Sequence, residues 1–227
     1  MVSGTSVSSK TRCKTAIRFD KKLIVCDTPG LFDTRMPEEE VRKEISRWYV
    51  YMSPGIHAIL LVLKTDRISS EDIHTVKFFM KVVGDELKDF LIVVFTNKDQ
   101  LDDKNMSLED YIDTIPSPSI LQDLLDLCRK RCIAIGYFKG SQVERETEVR
   151  HILSMVDQIK GPNDRFYSCE EFMRVQKFLR EEEERMLMEE QTLHTRDTDE
   201  NTPSFNDLRL KLIKRVLNDE VLLSLIH

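Results

Sequence analysis

The sequence predicts an α/β fold: a mainly parallel sheet flanked by helices over residues 1–160, followed by a helical extension over 161–227. Two short apolar runs without alternation, HAILLVLK (57–64) and FLIVVFT (90–96), read as strands covered on both faces. Between them Ser70-Glu71-Asp72 opens a helix that carries Ile73, Val76, Phe79, Met80 and Val83 on one side and is closed by Gly84. Strands that alternate with helices in this way pair in parallel, and the pattern changes only after Gly161-Pro162-Asn163.

The remaining elements follow in order. Thr15–Phe19 and Leu23–Cys26 read as a hairpin turning at Asp20-Lys21-Lys22. Pro37-Glu38-Glu39-Glu40 begins a helix that runs to about Tyr51, with proline and acids in the first turn, where unpaired N–H groups favour them. A helix near 119–130, a strand at 132–137 (CIAIGY) and a helix at 143–160 complete the alternation. In the extension, Ser168-Cys169-Glu170-Glu171 fits a capping box, and Phe172, Val175, Phe178, Leu179, Met186 and Leu193 recur at helical spacing. The run Glu181–Glu184 reads as a solvated face. A polar linker, Thr195–Ser204, precedes a last helix with Leu212, Ile213, Val216, Leu217 and Leu223. Both stripes require burial, against the rest of the chain or, as in a coiled coil, against another one.

Composition narrows the function. Of the 227 residues 41% are hydrophobic and 33% charged, which suits a helix-rich globular protein. The net charge of −6 comes without a massed basic face, which argues against nucleic acid as a partner. The cysteines at 13, 26, 128, 132 and 169 are odd in number and show no framework spacing, so free thiols and a cytoplasmic location are expected. Cys128 and Cys132 lack nearby third and fourth ligands and read as buried thiols rather than a zinc site. No apolar run approaches the ~20 residues of a membrane span, and the polar start does not read as a signal peptide.

Two motifs carry chemistry. LIVCDTPG (23–30) puts Asp27 at a strand's carboxyl end and Gly30 three residues on. An aspartate so placed can hold Mg²⁺ through a water, and a glycine N–H can reach a γ-phosphate; the plainer reading is turn chemistry after a strand. FLIVVFTNKDQL (90–101) ends a strand in Thr96-Asn97-Lys98-Asp99. A carboxylate there accepts two hydrogen bonds from guanine that adenine cannot offer, while the lysine stem lies along the base. Read as T-x-x-D the motif ends in Asp99; read as N-K-x-D it ends in Gln100, whose amide cannot accept that pair. The opening Gly4–Thr11 imitates a phosphate loop, G-x-x-x-x-G-K-[ST], with Ser9 in place of the second glycine. Such a loop leads into a helix of ~10 residues or more, and here a strand follows almost at once. The stretch therefore reads as a switch loop whose hydroxyl binds Mg²⁺, from Ser8 or, alternatively, Thr11. No other stretch offers a phosphate loop.

On DTPGLFDT (27–34), PGIHAILLVLKTDRISSEDIHTVKFFMKVVGDE (54–86), VVFTNKDQLDD (93–103), SLEDYI (107–112) and CRKRCIAI (128–135), the chain resembles the GTPases of immunity-associated proteins, the AIG-type G domain. The resemblance covers about residues 3 to 160. It implies a Ras-like P-loop NTPase fold here missing its first strand, phosphate loop and first helix, with GTP or GDP and Mg²⁺ as ligands and assembly through the nucleotide face. At the family's fifth box, where Asn-Asn is usual, this chain has Gly136-Tyr137; Tyr137 can stack on guanine but cannot copy an amide's bonds. Leu31 stands where many small GTPases carry a water-orienting glutamine, so hydrolysis is slow at most; Arg35 can be read as a finger in trans, but its plainer reading is a solvated switch arginine. The competing expectation is a nucleotide-free interaction protein acting through its helices. An unrelated α/β enzyme is disfavoured because His57, His74, His151, His194 and His227 form no constellation with a nucleophile.

Overall fold

A computed structural model describes residues 11–28, 44, 47–65, 73, 76–77, 86–116, 119–136, 141–194, 211–213 and 216. The expectations for Ser8, Gly30, Leu31, Arg35 and Tyr137, and most of those for the helices at 37–51 and 70–83, fall outside these residues. The chain divides into two compact units, Met1–Gly55 with Ser168–His227, and Ile56–Tyr167.

The second unit is built on three parallel strands, β3 (Ile59–Lys64), β4 (Leu91–Thr96) and β5 (Cys132–Ala134), in that order. The central strand β4 is buried from Leu91 to Phe95, which explains its unbroken apolar run. On one face Phe90, Ile92, Val94, Ile133 and Ile159 form a core with Ile135, Ile152, Met155 and Val156 packed on it. Phe95, with the opposite parity, meets Tyr111 edge to face at 5.6 Å. The strand expected at 132–137 stops at Ala134. Around the sheet lie a 3-10 turn (Leu87–Phe90), α1 (Lys98–Asp102), α2 (Leu108–Asp113), α3 (Ile120–Leu127) and α4 (Gln142–Lys160). A two-residue antiparallel bridge, Ile56 with Tyr167, closes the unit.

Helix starts are well capped. Ser107 with Asp110 and Ser141 with Glu144 form reciprocal capping boxes on α2 and α4, and Ser119 accepts the Gln122 N–H on α3. These bonds hold the Asp110 and Glu144 carboxyls below the usual range. Both caps are therefore fully present above that range and weaken as the pH falls through it. Ser141→Ala is expected to cost about 1 kcal/mol, read as a lower urea midpoint with unchanged slope.

In the first unit, β1 (Arg12–Arg18) and β2 (Lys21–Asp27) form a hairpin with Arg12 opposite Asp27. It turns at Phe19-Asp20, not at Asp20–Lys22, and both turn residues have positive φ (51° and 59°). A two-residue loop with both residues in the left-handed region matches strand twist, and a phenylalanine there gives no sequence signal. β1 begins directly after Thr11, so no helix follows the Gly4–Thr11 stretch. Cys13 and Cys26 face each other in the register and are joined as a disulfide. The expectation of free thiols holds for Cys128, Cys132 and Cys169 and fails for this pair, because hairpin register rather than linear spacing brings the two together. Burial raises the Cys128 thiol and pushes Cys132 up to about 11, so both are protonated at neutral pH.

The long helix α5 (Glu170–His194) packs its stripe from Phe172 to Met186 within the same unit. Val175 and Leu179 join Val50, Leu212 and Val216 in one core, with Tyr49, Phe178, Met186 and Ile213 against it. Phe172 is fully buried and edge-on to Tyr49, 4.7 Å away, and to Trp48. The Ser168 hydroxyl donates to the Pro54 carbonyl rather than capping the helix, whose first turn instead starts from the Cys169 carbonyl. Glu181–Glu184 is not wholly solvated either, since Glu183 is 4% exposed. The helix carries Glu183 inward and Glu182 partly so, its side chain 14% exposed and paired with Arg185, while Arg180 pairs with Glu184 on the outer side. Among the described residues no helix is long and apolar enough to cross a membrane.

Candidate functional site

Thr96 ends β4, and the chain turns at once into α1 through Asn97, whose φ of 65° and ψ of 38° lie in the left-handed region that asparagine tolerates. Two neighbouring strand ends hold this turn. From the β3 side, the Thr65 N–H donates to the Thr96 carbonyl at 3.1 Å and the Thr65 hydroxyl to the Asn97 carbonyl at 3.0 Å. The Thr96 hydroxyl answers by donating to the Leu63 carbonyl at 3.2 Å. From the β5 side, the Ile135 N–H donates to the Phe95 carbonyl at 2.8 Å, and the Lys98 N–H to the Ile135 carbonyl at 3.1 Å.

Gly136 completes the clamp. A Cβ added there would lie 2.7 Å from the Lys98 nitrogen and 2.8 Å from the Asp99 nitrogen, so the absence of a side chain lets the two loops touch. The Gly136 N–H donates to Glu148 Oε1 on α4 at 3.2 Å. Burial raises the Glu148 carboxyl, and it outweighs the Gly136 N–H and Lys98, which both favour the ionised form.

The side chains follow from this backbone. Asp99 is exposed in the first turn of α1, whereas Gln100 is half-buried and its N–H donates to the Asn97 carbonyl. Lys98 Nζ donates to both carboxylate oxygens of Asp102 at 2.9 Å, which lays the lysine stem along the helix. The second unit thus brings Thr96, Asn97, Lys98 and Asp99 into one ordered turn against Gly136. Asp27 belongs to the first unit, where it ends β2 with its side chain exposed. Thr11 is 4% exposed, its N–H bonded to the Glu44 carboxylate and its hydroxyl directed to the Glu44 carbonyl. Thr65, Gly136 as a packing residue, and Glu148 were not singled out from sequence. A glycine just past a strand is a detectable signal, but nothing local marks a threonine or a glutamate as loop supports.

A parallel sheet with a polar loop at the carboxyl ends of its strands defines the α/β class that builds sites at those ends. A family model described as the AIG1 family matches residues 1–191, and the chain belongs to that family. Among curated relatives from Arabidopsis thaliana, it is 33% identical to immune-associated nucleotide-binding protein 9 over 172 residues, 75% of this chain and 50% of that protein. It is 33% identical to immune-associated nucleotide-binding protein 8 over 175 residues, 77% of this chain and 48% of that protein. The chain spans about half the length of these relatives.

Proposed function

We propose that this chain carries the base-reading part of a guanine-nucleotide-binding G domain that acts as a GTP/GDP switch or oligomerising scaffold with weak hydrolysis. The observation that carries this reading is the Thr96–Asp99 turn, fixed on both sides and offering the exposed Asp99 carboxylate. In that role Asp99 accepts the ring N–H and exocyclic amine of guanine, Lys98 lies along the base, Thr96 and Asn97 shape the turn, and Tyr137 stacks. The half-buried Gln100, whose amide cannot accept that pair, supports the T-x-x-D register. The relatives' names, which say nucleotide-binding, support the same reading.

Mg²⁺, a hard cation, would be held by the exposed Asp27 carboxylate and a switch hydroxyl; the burial of the Thr11 hydroxyl against Glu44 favours Ser8 over Thr11 for that hydroxyl. When bound, the metal would neutralise phosphate charge, and the Gly30 N–H would be the donor available to the γ-phosphate. Leu31 leaves the attacking water unoriented, which keeps hydrolysis slow.

The G domain is, on this reading, incomplete. In a Ras-like order β2 and β3 flank one central strand; among the described residues β2 pairs only with β1 and β3 only with β4. Ile24 and Val25 on β2, and Leu60 and Val62 on β3, are exposed by 42–59%. These are faces that a further strand and helix would cover. Burial of Phe172, Val175 and Leu179 of the α5 stripe within the chain speaks against the alternative of a nucleotide-free protein binding partners through its helices. Assembly through the nucleotide face remains the proposal for oligomer formation.

The test uses the chain extended upstream by a strand, a phosphate loop and a helix. Asp99→Asn in that protein is expected to reduce the preference for guanine over adenine nucleotide by about 1–3 kcal/mol in competition titrations. An unchanged preference removes Asp99 from base reading.

A further inference from the structure

We infer that Glu148 is a positioning residue for the base-reading turn, acting through Gly136. The inference rests on the reading of Thr96–Asp99 given above. The physical path is short. Glu148 Oε1 accepts the Gly136 N–H, an amide that points away from the sheet after β5 has ended at Ala134. Gly136 in turn sits against the backbone nitrogens of Lys98 and Asp99 with no room for a Cβ, and its neighbour Ile135 accepts the Lys98 N–H. A displacement of residue 136 is therefore a displacement of the Lys98–Asp99 backbone, because the contact is between main chains and has no flexible side chain to absorb it.

The cost of keeping an acid there supports a role. Residues 141–151 of α4 are exposed except at 146 and 148, so the surface would accept Glu148 turned outward. Instead its carboxyl is drawn in far enough for burial to raise its pKa, against Lys98 and the Gly136 N–H and with Glu144 and Asp102 adding repulsion. The sign follows. An acid raised in the folded state contributes stability that is lost as pH climbs through its folded pKa, so at neutral pH the ionised Glu148 is a net burden on stability. Glu148→Gln keeps an acceptor oxygen and drops the charge. It is expected to be at least as stable as the parent at pH 7, with any gain shrinking towards pH 4.

The experiment is amide hydrogen exchange and pH titration by NMR on the full chain, with Glu148→Ala and Glu148→Gln beside it. In Glu148→Ala the Gly136 and Lys98 amides are expected to exchange about tenfold faster, as for one lost hydrogen bond. The β4 amides should be unchanged, showing that the fold is intact. Glu148→Gln should restore protection at both positions. In the parent, the Gly136 amide shift should titrate with a midpoint above the ordinary glutamate range, and in the Gln variant it should be flat. Unchanged Lys98 protection in Glu148→Ala overturns the inference. The base-reading claim is tested separately by the Asp99→Asn competition titration in the upstream-extended chain: an unchanged preference there removes base reading, while the exchange result on the full chain still decides positioning.

Discussion

Gly136→Ala is expected to destabilise the second unit by about 1–3 kcal/mol and to lower its melting temperature by several degrees. Conformation is not the reason; space is. The new methyl would meet the nitrogens of Lys98 and Asp99 and Cβ of Lys98 at 2.7–2.8 Å, and backbone atoms held by Thr65 and Ile135 cannot step aside. Gly161 supplies the contrast. It has a φ of 59° with nothing within 4 Å, so Gly161→Ala costs only backbone strain of about 1–2 kcal/mol and leaves the turn untouched. Thermal denaturation ranks the two, and the amide shifts of Lys98 and Asp99 separate their causes. A Gly136→Ala protein with parental shifts at both residues would mean that the two loops do not touch.

Phe172→Ala is expected to cost about 3–5 kcal/mol, the largest single effect in the first unit. The ring is fully buried and makes edge contacts to Tyr49 and Trp48, the only tryptophan of the chain. Its loss leaves a cavity between α5 and the helical residues 47–52, so the fluorescence of Trp48 should move to the red together with the fall in stability. A loss under 1 kcal/mol, with tryptophan emission unchanged, would show that α5 does not dock through this residue.

The parts legible in the sequence are those fixed by burial on two sides or by strong local chemistry. β4 stands out because a strand covered on both faces needs no polar alternation, whereas β3 carries the same kind of apolar run although Leu60 and Val62 are exposed, so the two-face reading fails for it. The Thr96–Asp99 turn stands out because polar residues follow so abruptly. Features created by register or rotation leave no such mark. Cys13 and Cys26 meet because the hairpin turns at Phe19-Asp20, and a turn shifted by one residue would separate them. Glu183 looks like its acidic neighbours until the rotation of α5 carries it inward. The short helices α1 and α2 offer too few residues for a period to emerge. Gly136 and Glu148 are supports whose meaning depends on a strand 40 residues earlier having ended beside them.

The central proposal is that the Thr96–Asp99 turn reads the base while the sequence offers no phosphate-loop motif to hold the phosphates. Equilibrium titration with a fluorescent GTP analogue, with and without Mg²⁺, tests it directly when the chain is measured beside its upstream-extended form. Weak or absent binding by the chain is predicted, with tight, Mg²⁺-dependent binding once a strand, phosphate loop and helix are added. Tight, Mg²⁺-dependent binding by the chain alone would contradict the claim and return Gly4–Thr11 to the role of a phosphate loop.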